Sequence, residues 1–143
     1  MSTLAAVNLK NPSSATNNVV LATNGDLQFN SGYGSAATAY GCRAWVNFNG
    51  TGTVAIRASG NVSSITDIGT GTYRVNFTTA LPDANYSAQV TSGFASTVLE
   101  DIFGYVYTDI PYAMAANACT VKFIRNDNRA AIDTNYAMVA FFR

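Results

Sequence analysis

The sequence predicts an all-β protein: an antiparallel β-sandwich, jelly-roll or immunoglobulin-like, that follows an extended N-terminal arm. Short runs of residues between 41 and 143 alternate apolar and polar side chains, which is the period of half-buried strands. Turns rich in Gly, Asn and Asp separate these runs, as expected for antiparallel strands. Helix is scarce, since only residues 111–117, rich in Ala, favour even a short turn of it.

Residues 1–40 differ in composition from the rest, being polar and small with loop-like stretches at 11–14 and 31–37. Between these stretches Asn24-Gly25 joins two β-competent runs, which predicts a hairpin. An isolated hairpin is only marginally stable in water. We therefore expect residues 1–40 to be an attachment and oligomerisation arm, packed on the main domain or on equivalent arms of other copies. Residues 41–143 are expected to form the sandwich.

The strands of the sandwich follow one another with short turns between them. They are predicted at residues 43–48, 53–58, 62–66, 72–78, 85–91, 97–108, 119–125 and 135–142. In 72–78 the alternation is strict, which places Tyr73, Val75 and Phe77 on one face. The large aromatic residues assigned to the core are Trp45, Phe48, Tyr73, Phe77 and Phe123.

Charge is scarce in this sequence. Eight Lys and Arg balance eight Asp and Glu, so that the formal net charge is zero and 11% of residues are charged. Because phosphate contacts supply most of the affinity for nucleic acids, no nucleic-acid partner is expected. Weak repulsion between copies suits a subunit that packs against other subunits. No apolar run reaches membrane-spanning length, and the first residues lack the pattern of a signal peptide, so membrane insertion is not expected.

Catalytic residues are not evident. The sequence has no histidine, so Ser and Cys nucleophiles lack their usual base. Glycoside hydrolysis needs only two carboxyl groups, but Glu100 and Asp101 are adjacent in a strand-like run and should diverge to opposite faces. The other candidates lie at predicted turns: Asp83, Asp109, Asp127 and Asp133. We expect a protein that is not an enzyme and has no cofactor.

No metal site is expected either. Cys42 and Cys119 lack the spacing of zinc ligands, and whether they form a disulfide or remain two small strand residues stays open. The turn Asn126-Asp127-Asn128 offers oxygen atoms, with Asp133 nearby in sequence, yet it lacks the calcium-loop pattern. A solvated turn is the better interpretation.

One stretch of aromatic residues, 103–112, is difficult to bury completely. Tyrosine rings stack and their hydroxyls form hydrogen bonds, so this stretch fits either a sugar-binding surface or a subunit interface. The candidate binding or interface residues, together with the polar turn, are Tyr105, Tyr107, Tyr112, Asn126, Asp127 and Asn128.

Three segments resemble a module that recurs in bacteriophage tail-fibre and related virion proteins. They are RAWVNFNGTGT (43–53), ITDIGTGTYRVNF (65–77) and LPDANY (81–86). The resemblance implies a virion structural protein, assembled in the cytoplasm of the bacterial host. It further implies a short homotrimeric tail fibre that attaches to the tail or baseplate by its N-terminal arm and recognises host-surface glycan or lipopolysaccharide. The matching residues look like fold determinants, so no site residue is carried over.

The chain is short for a fibre and shows no long shaft. That raises the alternative of a capsid decoration or head-fibre protein that stabilises the particle. A glycan-cleaving enzyme is the third hypothesis for the function and is less favoured than the other two.

Overall fold

A computed structural model describes residues 8–10, 12–13, 15, 18–30, 35–93, 101–109, 111 and 113–143. These residues form twelve β-strands and no helix, which confirms the predicted all-β class. The chain divides into two compact units, Met1–Tyr40 and Gly41–Arg143.

The first unit holds one antiparallel sheet in the order β1-β2-β3-β4, called here the N-terminal sheet. Its strands are β1 (Asn8–Leu9), β2 (Val19–Leu21), β3 (Leu27–Phe29) and β4 (Ala37–Thr38). The predicted hairpin at Asn24-Gly25 is confirmed, since β2 pairs with β3 and Gly25 turns the chain at φ 89°.

The predicted loop at 31–37 is wrong at its end. Ala37 pairs with Phe29 and begins β4, while residues 31–34 lie outside the described part. Strands of two residues are too short to carry a period that a sequence can reveal.

The second unit contains β5 (Cys42–Asn49), β6 (Ala55–Gly60), β7 (Val62–Gly69), β8 (Thr72–Phe77), β9 (Ser87–Gly93), β10 (Ile102–Val106), β11 (Ala118–Arg125) and β12 (Tyr136–Phe142). The front sheet has the order β6-β5-β12-β9 and the back sheet β10-β11-β8-β7. All neighbours within a sheet are antiparallel, and the two sheets enclose one core, so the predicted sandwich is confirmed. Residues 97–100 of one predicted strand lie outside the described part.

The edges of the two sheets meet. Edge strand β9 of the front sheet contacts β10 of the back sheet, and β6 contacts β7. Only Asn61 separates β6 from β7, and it adopts a left-handed φ of 56°. Its amide nitrogen donates to the carbonyl oxygens of Arg43 and Thr79, at 3.1 and 3.0 Å. The corner between the sheets is therefore fixed by one side chain.

The core is built from the inward-facing residues of four central strands. Tyr73, Val75 and Phe77 of β8 are at most 7% exposed, as their alternation predicts. The ring of Phe141 meets those of Phe77 and Tyr86 edge-on, with centroids 4.9 and 5.7 Å apart. Burial of each such side chain stabilises the fold by about 1.5–3 kcal/mol.

Assignment of Trp45 to the core is wrong. Trp45 is 44% exposed and lies on the outer face of the front sheet, whereas Phe48, Tyr73, Phe77 and Phe123 are buried as predicted. Successive side chains of a strand point to opposite faces. Because Ala44, Val46 and Phe48 all face the core, Trp45 must face outward.

Candidate functional site

The predicted tyrosines lie at the edge of the back sheet. Tyr105 belongs to edge strand β10 and is 36% exposed. Tyr107 follows that strand and is half-buried, with the ammonium group of Lys122 4.8 Å from the centroid of its ring. Tyr112 lies outside the described residues. The two described tyrosines thus form a small surface with one positive charge against it.

The polar turn Asn126-Asp127-Asn128 is exposed and uses its oxygen atoms to hold its own backbone. The Asp127 carboxylate accepts the N–H of Asn128 at 2.7 Å, and the Asn128 side-chain oxygen accepts the N–H of Ala130 at 2.9 Å. Asp133 instead accepts from the Tyr73 hydroxyl and the Gly71 N–H. Within the described ranges no group of three or more Cys, Asp and Glu side chains is placed to hold a metal ion.

The turn and the tyrosines do not form one site. Asn126 donates its N–H to the carbonyl oxygen of Asp101, just before β10, at 2.8 Å. Tyr107 lies beyond the other end of the same strand. At about 3.3 Å per residue along β10, Tyr105 lies roughly 13 Å and Tyr107 roughly 20 Å from Asp101, where the turn is attached.

A groove on the outer face of the front sheet was not foreseen from the sequence. It is open to solvent, has a volume of about 470 Å³ and is lined by residues of β5, β9 and β12. The strand registers align Trp45, Ala140 and Gln89 in one row across the sheet, and Asn47, Met138 and Thr91 in the next. Because the Ala140 side chain is small, the surface of the sheet has a depression between Trp45 and Gln89.

Glycines in the neighbouring strands make room for two aromatic side chains of this face. Trp45 pairs with Gly60 of β6, where an added Cβ would come within 2.5 Å of the indole nitrogen. Tyr136 pairs with Gly93 of β9, where an added Cβ would come within 3.0 Å of the Tyr136 Cβ. The Trp45 indole therefore lies over Gly60, whereas Gly93 leaves room for the base of the Tyr136 side chain. One feature of the sequence indicates this arrangement. Trp45 alternates along its strand with Ala44, Val46 and Phe48, so its side chain lies on the opposite face from theirs.

The side chain of Arg57 orients the side-chain amide of Asn47 in the groove. The guanidinium of Arg57 stacks over the Tyr136 ring, 4.5 Å from its centroid, and donates a long hydrogen bond of 3.5 Å to the Asn47 side-chain oxygen. Since arginine can only donate, the amide NH₂ of Asn47 is the end turned away from it. On the other side of the groove the NH₂ of Gln89 donates to the Ser87 hydroxyl at 3.3 Å. The amide oxygen of Gln89 is therefore left to accept a hydrogen bond.

The groove is neutral. None of its lining residues in the described part carries a formal charge, and an apolar floor is flanked by amide and hydroxyl groups. Such a surface can hold a ligand that is apolar on one face and rich in hydroxyls at its edges.

Both cysteines are free. Cys42 is exposed beside the groove, and its thiol donates to the Ala44 carbonyl at 3.2 Å. Cys119 is fully buried in β11, and this burial raises the pKa of its thiol to about 11. The question that the sequence left open is thus answered by two thiols and no disulfide.

No protein-family model, curated protein or solved structure matches this chain. The described part contains no helix long and apolar enough to cross a lipid bilayer.

Proposed function

We propose that the chain is a non-catalytic structural subunit of a bacteriophage virion, most simply a short homotrimeric tail fibre. In this proposal the N-terminal units pack against one another and attach to the tail or baseplate, and the sandwich contributes to recognition of the host surface. The proposal that the chain forms oligomers rests on one observation, an exposed apolar face on the N-terminal sheet.

Strand register defines that face. Leu9 pairs with Val19, Val19 with Phe29, and Leu21 with Leu27, so all five side chains lie on one side of the sheet. Four of them, the leucines and the phenylalanine, are 46–56% exposed. None of the described residues in 1–40 is buried.

A sheet of four short strands without a buried residue needs a covering surface. Each of the four exposed side chains still has about half its surface to bury, which is worth on the order of 1 kcal/mol per side chain. Residues 1–40 contain one cation, Lys10, and one anion, Asp26, so that copies of this unit hardly repel each other. Equivalent sheets of other copies are therefore the covering surface that we favour.

The virion part of the proposal is supported by the resemblance of the segments 43–53, 65–77 and 81–86 to tail-fibre modules. These segments form β5 with its following turn, most of the β7–β8 hairpin and the loop that leads into β9. They thus belong to one continuous part of the sandwich.

Light scattering of the purified full chain, with two substitutions in β3, tests the oligomer. Phe29→Asp places a charge on the apolar face, whereas Gln28→Asp places the same charge on the opposite face. We expect trimers for the wild type and Gln28→Asp and monomers for Phe29→Asp, with an unchanged sandwich by circular dichroism. A monomeric wild-type chain would overturn the proposal, and cleavage of glycans by it would favour the enzyme.

Electron microscopy of phage particles carrying an antibody-labelled copy then locates the subunit. Label at the tail tip supports the fibre. Label over the capsid supports the alternative of a decoration or head-fibre protein.

A further inference from the structure

We propose that the groove on the outer face of the front sheet binds a neutral saccharide, with Trp45 as the stacking platform. This deepens the proposed function, on which it rests only for the source of the sugar, by naming the site that would contact a host-surface glycan. The site differs from the tyrosine edge and the polar turn.

Trp45 is the one aromatic residue among the described residues that line the groove. It is 44% exposed on a central strand of the front sheet, and Gly60 leaves space for it on the neighbouring strand. A sugar ring presents a face of C–H groups, and such a face packs on the electron-rich face of an aromatic ring. A rigid sheet keeps this platform in place at little entropic cost.

Polar groups lie at the distance that a short oligosaccharide requires. Gln89 is two strands away from Trp45, across β12, which corresponds to about 9.5 Å at the usual strand spacing. That distance suits about two sugar rings, with Ala140 as the floor between them. No described residue partners the Asn47 NH₂, the Gln89 amide oxygen or the Thr91 hydroxyl. These groups can therefore donate to and accept from sugar hydroxyls.

The lining favours an uncharged sugar over an acidic one. Arg57 is held over the Tyr136 ring and against Asn47, and the groove itself is lined by neutral side chains. The exposed Arg43, two residues before Trp45 in β5, lies outside this lining. Within the lining an acidic sugar would lose solvation of its carboxylate without gaining a charged partner. The volume of about 470 Å³ is within the usual range for small-molecule sites, about 300–1,000 Å³.

A second copy of the chain is the competing occupant, since Trp, Tyr, Met and Arg are also enriched in protein interfaces. The polar groups at the edges of the groove argue against it. A flat sheet laid over the groove would bury the polar groups of Asn47, Gln89 and Thr91, and each would then need a partner on the copy.

The fluorescence of Trp45 provides a direct test, because this is the only tryptophan in the sequence. The purified full chain is titrated with chitotriose, maltotriose and cellotriose, and separately with lipopolysaccharide O-polysaccharide. We expect a saturable change in emission, reduced quenching by acrylamide and slower reaction of the adjacent Cys42 thiol. A response to the free trisaccharides indicates recognition of the sugar alone, and a response only to the O-polysaccharide identifies the bacterial surface as its source.

Three variants make the test specific. Ala140→Leu fills the floor and should abolish binding without removing a ligand group, and Gln89→Leu should raise the Kd about tenfold by removing one hydrogen-bonding group. Phe103→Ala, which removes a 62% exposed ring from the back sheet, is the control and should bind as the wild type does.

Absence of a response to all these sugars would overturn the site, as would an unchanged response in Ala140→Leu. Emission that shifts with protein concentration, without sugar, would assign the groove to a second copy and also overturn it. A trimer that binds no sugar rejects this site alone, whereas a monomer that binds sugar rejects the proposed function and leaves the site standing.

Discussion

The hydroxyl of Tyr73 donates a 2.6 Å hydrogen bond to the carboxylate of Asp133. Tyr73 lies in β8 of the back sheet and is fully buried, whereas Asp133 lies just before β12 of the front sheet. The same carboxylate oxygen accepts the N–H of Gly71 at 2.7 Å. Burial, followed by the hydrogen bond to Asp133, raises the pKa of Tyr73 far above its ordinary value, so the hydroxyl stays a donor. This bond links the two sheets through the core.

Removal of this hydroxyl should destabilise the sandwich. We expect Tyr73→Phe to lower the free energy of unfolding by about 1–3 kcal/mol, because the partly buried Asp133 carboxylate and the buried Gly50 carbonyl oxygen, 2.9 Å from the hydroxyl, both lose this donor. Urea denaturation followed by circular dichroism measures it. Tyr136→Phe removes a hydroxyl from a ring that is 39% exposed and should change stability by less than about 0.5 kcal/mol. Equal effects of the two substitutions would contradict the role given to the Tyr73–Asp133 bond.

Gly71 and Gly52 have nearly the same backbone conformation, with φ of 66° and 64°. A Cβ at Gly52 meets nothing within 4 Å, whereas one at Gly71 would lie 2.5 Å from the Phe123 carbonyl oxygen and 2.8 Å from the Ile132 nitrogen. Gly52→Ala should therefore cost only the left-handed penalty of about 1–2 kcal/mol.

Gly71→Ala adds a clash with backbone that cannot move away and should cost several kcal/mol more than Gly52→Ala. Thermal unfolding of the two variants side by side measures the difference. Similar melting temperatures would mean that the backbone at Phe123 and Ile132 moves easily.

Much of the fold could be predicted from the sequence, because the patterns that indicate its strands and turns lie within short segments. The strict alternation around Tyr73 and the Asn24-Gly25 turn each depend on fewer than about ten neighbouring residues, and both predictions are confirmed. The groove depends instead on Trp45, Gln89 and Ala140, which come together only through the pairing of three distant strands. Alternation tells which face a residue takes, but not which distant strand lies beside it. The prediction that Trp45 lies in the core was wrong for a simpler reason. Trp45 and Phe48 are an odd number of residues apart in one strand, so they point to opposite faces.

The ion pair between Asp83 and Arg143 should be detectable by titration. Two hydrogen bonds from the Arg143 guanidinium, at 2.6 and 3.0 Å, and the N–H of Asn85 lower the pKa of Asp83 below its ordinary value. Because the folded-state pKa is lowered, the stability contributed by Asp83 is present above the ordinary range of aspartate. It is lost as the pH falls through the folded-state value.

Nuclear magnetic resonance of the Asp83 carboxyl carbon measures this midpoint. Arg143→Gln should move it upward, toward ordinary aspartate, and Arg129→Gln, in the exposed turn after β11, should leave it in place. Concentrated salt should reduce the difference, because both partners are more than one-third exposed. A midpoint that does not respond to Arg143→Gln would show that the pair is not formed in solution.

The two thiols should react very differently. Cys42 is exposed and Cys119 is not, and a pKa of about 11 leaves about one thiolate in a thousand for Cys119 at pH 8. We expect a chromogenic disulfide reagent to label one thiol per native chain and two after denaturation. Cys42→Ser should abolish native labelling, and Cys119→Ser should not. Rapid labelling of two thiols in the native chain would contradict the burial of Cys119.

The edges of the sheets govern how copies of this chain can meet. In the sandwich, β6 and β9 lie against β7 and β10, while the outer strands of the N-terminal sheet, β1 and β4, are two residues long. An incoming strand therefore finds few backbone groups to extend by hydrogen bonding. We therefore expect copies to associate, in the part that the structure describes, through side-chain faces of limited size rather than by cross-β pairing of strand edges.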